Sequence, residues 1–228
     1  MKTQSTYIAS TSQLKAVADG VFGARLEVVM CGLPESKSYA LWKDITRMLT
    51  SLEKVFDSSA PDSEVSVLNA SKVDIETSDE MKSALNLCEN YFVKTKELFN
   101  VSRHDSLDFS GFVKAYAVQK LAAMLKKGKV KDAFVNFADS VIYAGGHKPY
   151  CDSWPYALES ASGDELQEFE LCNECLAVSQ FESRLCCVRS KDPLEAKVLS
   201  LVLPVATEAQ RREMSYNFKS LSDSYFEV

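Results

Sequence analysis

A chain of 228 residues with 46% hydrophobic content is long enough to bury its own core as one domain, and its net charge of −6 leaves no basic stripe for nucleic acid or an anionic membrane surface. Seven cysteines, an odd number, argue against a secreted disulfide framework. The opening residues lack the apolar run of a signal peptide and no later segment reaches the roughly 20 apolar residues needed to span a bilayer, so a soluble, cytoplasmic protein is expected.

The first dozen residues are polar, and residues 1–20 are expected to form a tail ahead of a single domain over 1–228. From Val21 to Gly32 the chain alternates, with Leu26, Val28 and Met30 facing one way and Arg25, Glu27 and Val29 the other, which predicts a strand. Ser36 to Phe56 switches to helical spacing and puts Tyr39, Trp42, Ile45, Leu49, Leu52 and Phe56 on one stripe. Asp57 to Ala70 is rich in Ser, Asp and Pro and reads as a loop. A second amphipathic helix starts at Ser78 as N-cap and runs through Leu85, Cys88, Phe92 and Leu98.

A third helix is predicted from Gly111 to Lys127, with Gly128 as its C′ residue among Lys126, Lys127, Lys129 and Lys131. Its start combines Asp108, Gly111 and Lys114. A helix N-terminus with a nearby lysine and a residue lacking a Cβ suits a phosphate, leaving Asp108 for a ligand's hydroxyls, ring nitrogens or metal. The alternative is that Asp108 or Ser110 caps the helix and Lys114 is merely solvated. Beyond it come short apolar runs at Ala133–Phe137, Val141–Gly145, Tyr156–Glu159, Phe169–Cys172, Cys175–Ser179, Leu185–Arg189 and Lys197–Leu203, which predict an antiparallel sheet. Tyr216 to Val228 reads as a short helix and tail. The fold class is therefore α+β, an antiparallel sheet packed with several helices.

Several of these stretches resemble the FAD:protein FMN transferases, the ApbE family. Pro61-Asp-Ser-Glu-Val-Ser-Val-Leu-Asn69 resembles that family's Pro-Asp-Ser-Glu-x-Ser-x-Leu-Asn, and Leu107 to Gln119 its Leu-Asp-Leu-x-x-Ile-Ala-Lys-Gly-Tyr-Ala-Val-Asp. Ala133-Phe-Val-Asn-Phe-Ala-Asp139 and Ala177-Val-Ser179 resemble two of its strands. The resemblance implies an FAD pyrophosphate attacked by a Ser or Thr hydroxyl of a target protein, with magnesium bridging the phosphates. It also implies flavin contacts from Asp108 and Lys114, from Phe99 and Asn100 in the family's Ala-Phe-Asp, and from Phe22 in its Met-Gly-Thr. Gly111 stands where a backbone carbonyl would meet the metal.

The groups that would do the chemistry depart from the family's pattern. Its His-x-x-Asp-Pro reads Arg189-Ser-Lys-Asp-Pro193, and a guanidinium cannot take up a proton. Its Ala-Asp-Ala-x-x-Thr resembles Ala209 to Met214, placing Gln210 and Met214 at the metal-ligand positions, an amide and a thioether that suit magnesium poorly. Weakened affinity for FAD, no magnesium, no flavin transfer and a binding or scaffolding role with a protein partner are expected. Two alternatives stand beside this: an active transferase or FAD pyrophosphatase using Glu208, Glu213 or His104, and a partner-binding protein without flavin. Cys172, Cys175, Cys186 and Cys187 form a weak zinc candidate, because adjacent strand cysteines face opposite ways. They read better as a hairpin turn and core residues. His104, in the loop before Asp108 and without a motif partner, and His147 are the two histidines.

Overall fold

The computed structural model describes residues 1–71, 75–103, 106–159, 165–182, 184–218 and 225–227. Lys2–Ile8 (β1), Gln13–Val21 (β2) and Ala24–Cys31 (β3) form an antiparallel meander, so residues 1–20 are not a tail. Their polarity has a physical reason: β1 is an edge strand with most of its residues exposed, while in β2 only Leu14, Ala16 and Ala18 turn inward before Val21. The alternation predicted for β3 holds, with Leu26, Val28 and Met30 buried.

Glu35–Phe56 (α1) lies over this sheet on Trp42, Ile45, Leu49, Leu52 and Phe56. Tyr39 is off the stripe and exposed, and Ser38 is buried instead. Within the predicted loop, Glu64–Ala70 (α2) is helical, started by Ser63, whose hydroxyl accepts from the Ser66 N–H at 3.2 Å. Asp79–Lys94 (α3) starts at Ser78, as its capping signal predicts, with the Met81 N–H on Ser78 Oγ at 3.1 Å. Ser102–Arg103 (β4) and Ser106–Leu107 (β5) form a small ladder ahead of Val113–Lys127 (α4). The left-handed residue closing α4 is Lys129 (φ 61°), not Gly128 (φ −71°), and the Val130 N–H reaches back to the Leu125 carbonyl in a Schellman pattern. Gly128 is needed for space, since a Cβ there would sit 3.0 Å from Leu41 Cδ2.

The second half supplies Ala133–Phe137 (β6), Val141–Gly145 (β7), Trp154–Glu159 (β8), Glu165–Leu171 (β9), Glu174–Phe181 (β10) and Arg184–Ser190 (β11). The apolar run at 197–203 is not a strand. Pro193–Val202 (α5) is a helix capped by Asp192, and it looks like a strand in sequence because eight of its residues are buried, leaving no polar face to reveal the 3.6 period. Glu208–Asn217 (α6) follows, and Tyr225–Glu227 (β12) pairs with β11 where a tail is expected.

The main sheet runs β1-β2-β3-β6-β7-β10-β11-β12, with antiparallel neighbours throughout. Helices cover one face, and the β8–β9 hairpin covers part of the other through Trp154, Tyr156, Leu158, Phe169 and Leu171. Burial on both faces explains the near-continuous apolar runs in the second half, and it divides Cys186 and Cys187 between the two cores as strand alternation requires. The Cys172–Asn173 turn joins strands of different sheets, so it is not a hairpin, and all seven cysteines are free thiols. No helix among the described residues is long and apolar enough to cross a membrane.

Candidate functional site

At one end of the sheet, the β2–β3 turn, the loop after α1 and the start of α4 meet around a cavity of about 280 Å³. Phe22, Gly23, Phe56, Ser59, Ser110 and Lys114 are among its walls. The turn is tight: Phe22 and Gly23 both have positive φ (47° and 71°), and the Phe22 N–H is held by Glu53 Oε1 at 3.1 Å. For a residue with a Cβ that conformation costs about 1–2 kcal/mol, sustained here by the surrounding hydrogen bonds.

The entry to α4 is set by Asp108. Its Oδ1 accepts from the Ser110 N–H at 2.9 Å, and its own N–H donates to the Val101 carbonyl at 2.7 Å. Asp108 therefore shapes the turn before the helix, which leaves Phe112 at the N-cap position with no side-chain cap. Gly111 serves packing, since a Cβ there would lie 3.0 Å from Leu201 Cδ1 on α5.

A second cavity, about 260 Å³ and mostly apolar, lies between α3 and the β4–β5 ladder, with Leu85, Cys88, Phe92, Asn100 and Leu107 in its walls. Asn100 also accepts from the Ser102 N–H at 2.8 Å. Leu107 lines this cavity and Ser110 the first, three residues apart in sequence. The structure thus brings Phe22 and Lys114 together, sets Asn100 in the other hollow, uses Asp108 to shape the turn into α4, and sinks Phe99 into the core against Tyr91 and Phe112. Each hollow falls just below the roughly 300–1,000 Å³ of ordinary ligand pockets. Either has room for part of a dinucleotide.

Residues 61–69 turn out to be scaffold. Beyond Ser63's cap, Glu64 accepts from the Ser78 N–H at 2.7 Å, tying α2 to the start of α3. Asn69 grips the Leu107 backbone twice, donating from Nδ2 to its carbonyl at 2.9 Å and accepting its N–H on Oδ1 at 2.7 Å. That grip fixes the residue before Asp108. Asn69→Ala is expected to cost about 1–3 kcal/mol in urea unfolding, with Asn69→Asp intermediate because it keeps only the acceptor.

The positions that would carry chemistry are otherwise engaged. Arg189 forms a two-pronged ion pair with Glu174, Nε to Oε2 at 3.0 Å and Nη2 to Oε1, and Nη2 also reaches the Glu170 carbonyl. Gln210 Oε1 accepts from both Thr207 N and Thr207 Oγ1 at 2.9 Å, the capping box of α6. Met214 is fully buried. A capped amide and a buried thioether do not fit a magnesium ion. Glu208 pairs with Arg212, and Glu213 with Lys96 at 3.2 Å, both on the surface. Among the described residues no three His, Cys, Asp or Glu side chains are placed to hold a metal ion. His104 lies outside the described residues, and His147 sits on an exposed loop with Nδ1 3.3 Å from the Lys148 carbonyl.

One group escaped sequence reasoning. Lys197 is only 7% exposed, on the inward side of α5 beside the same end of the sheet, and its ammonium donates to Ser140 Oγ, Val178 O and Ser179 Oγ at 2.7–2.8 Å. Burial, then the charge of Lys114, push its pKa down to about 8, with Cys186 acting weakly the other way. The available signal was a lone lysine inside an apolar run.

Comparison with known proteins places these features. Residues 102–184 match the model of the ApbE family. The whole chain superposes on the flavin transferase ApbE from Vibrio cholerae with a TM-score of 0.77, at 15% identity, covering 96% of this chain and 97% of that one. The apo flavinyl transferase ApbE of Pseudomonas stutzeri gives 0.72 at 16% identity, covering 100% and 93% of the two chains. The Thermotoga maritima apbe protein gives 0.70 at 13%, covering 95% and 92%. No curated protein gives a significant match.

Proposed function

We propose that this chain, ApbE-like in fold and matched by the ApbE family model over residues 102–184, is a nucleotide-binding protein, with flavin nucleotides as ligand class, that has lost flavin transfer and serves as a binding or scaffolding protein. The observation that carries the proposal is a division within the site. Phe22, Ser110 and Lys114 line an open cavity, whereas Arg189, Gln210 and Met214, which the sequence resemblance sets at the positions of a base and of metal ligands, are tied into an ion pair, a helix cap and the core. Opening the Arg189 pair would strand Glu174, whose side chain is only 19% exposed. Loss of a general base alone typically costs a factor of about 10² to 10⁴ in rate.

The test is a titration of the purified protein with FAD, with and without magnesium, read by thermal melting and by AMP release. At a concentration of about 100 Kd, ligand binding stabilises by roughly 2.7 kcal/mol, which raises the melting temperature of a domain this size by about 5–10 °C. The expected outcome is such a rise with no AMP in either condition. AMP release at high protein concentration would show that transfer or pyrophosphatase chemistry survives. No shift with FAD, FMN or ADP would remove the nucleotide and leave only the partner-binding reading.

A further inference from the structure

Lys197 is a buried cation whose three hydrogen-bond acceptors, Ser140 Oγ, Val178 O and Ser179 Oγ, are all neutral, and it has no ion pair among the described residues. A buried charge left uncancelled is costly and projects through a medium that screens it weakly. The proton order around it is readable. Ser200 Oγ donates to the Lys197 carbonyl at 2.8 Å, so in the 2.7 Å Ser179–Ser200 contact Ser179 donates and is left to accept from the ammonium. Ser140 likewise accepts from Lys197, and among the described residues its hydroxyl proton has no acceptor. That hydroxyl is half-buried and backed by a positive charge, which makes it a donor suited to an anion.

The cluster lies at the same end of the sheet as the cavity. Ser140 closes the β6–β7 turn, whose Ala138 N–H bonds to the Arg25 carbonyl at 3.0 Å, two residues beyond the cavity-lining Gly23. On the helix side, Gly111 packs against Leu201, one turn along α5 from Lys197, and Lys114 is the second residue of α4. Lys114, on the cavity wall, and Lys197, on α5, thus stand at one end of the sheet, and among the described residues no carboxylate is paired to Lys197.

We propose that Ser140, backed by Lys197, and Lys114 form a metal-independent anion site for a phosphate or pyrophosphate group. The inference rests on the nucleotide-binding reading for what the anion is attached to, and it supplies the positive charge that the residues at the metal-ligand positions cannot gather.

The probe is inorganic pyrophosphate, titrated calorimetrically in EDTA, with ADP and FAD as parallel arms. Wild-type protein is expected to bind pyrophosphate without divalent ions and to gain less than about threefold from magnesium. Lys114→Met and Lys197→Met are each expected to weaken binding by at least tenfold. Unchanged affinity in Lys197→Met, or binding that requires magnesium, would overturn the proposal. Should that variant fail to fold, the wild-type pH profile decides. Pyrophosphate gains charge as pH rises, so affinity falling through about pH 8 must come from the protein, where Lys114 and Cys186 are the titratable groups felt at Lys197. A flat or rising profile would overturn it as well. Pyrophosphate binding without ADP or FAD binding would retain the anion site and refute the nucleotide reading, and nucleotide binding indifferent to Lys197 would do the reverse.

Discussion

Phe112→Ala is expected to destabilise the protein by about 3–5 kcal/mol, the largest single loss available near the site. Phe112 is 1% exposed, and its ring lies 5.2 Å from Tyr116, 6.1 Å from Phe109 and 6.4 Å from Phe99, centroid to centroid. Removing it opens a void that close-packed neighbours fill only in part, and the cost adds to the lost transfer energy. The functional consequence follows from position. Phe112 is the N-cap residue of α4, so the void opens at the start of the helix that carries Lys114. Pyrophosphate and FAD affinity should fall even under conditions where the variant stays folded. Urea unfolding checks the first effect and calorimetry the second. A loss under about 1 kcal/mol would mean that this aromatic cluster does not hold the start of α4.

The second large effect is a pH dependence of stability isolated by Lys197→Met. Folded Lys197 holds its proton less tightly than an unfolded lysine, about 8 against 10.5. Between those values the unfolded chain is the better proton binder, so stability rises with pH across the window, and the full cost is present below pH 8. Two and a half pKa units correspond to about 3 kcal/mol. Burial also raises the thiols Cys88, to about 12, and Cys187, to about 11, and these groups act in the opposite direction above their unfolded pKa. Their effect is common to both proteins and cancels in the comparison. The wild type is therefore expected to gain about 3 kcal/mol on Lys197→Met between pH 8 and pH 10.5, measured by denaturant midpoints. Parallel stability curves would refute it. Near pH 7 the variant is expected to fold, because exchanging a buried charge for an apolar isostere is often neutral or stabilising.

Phe22 and Lys114, expected as flavin contacts, line one cavity, and Asn100 lines another. Asp108 shapes the entry turn as a cap would, accepting from the Ser110 N–H. Phe99 was not legible as core, because an aromatic beside an Asn carries no mark of which way it turns. At the β6–β7 turn, Ala138 and Asp139 both adopt positive φ (53° and 50°) where the resembled family has Gly-Gly. Positive φ at residues with a Cβ carries a cost in strain that glycine would avoid.

The sequence alone settled the elements whose two sides differ. In α1, α3, α4 and β3, polar and apolar residues repeat with the period of the local backbone, and that period is written into neighbouring positions. Only the assembled layers decided the rest. α5 is apolar all round because it is covered all round, and β1 is polar because it forms the sheet's edge. Arg189 meets Glu174 across 15 residues, and Lys197 meets Ser140 across 57. Which partner a side chain finds, and which face water reaches, depends on contacts between distant segments, and local spacing carries no record of those.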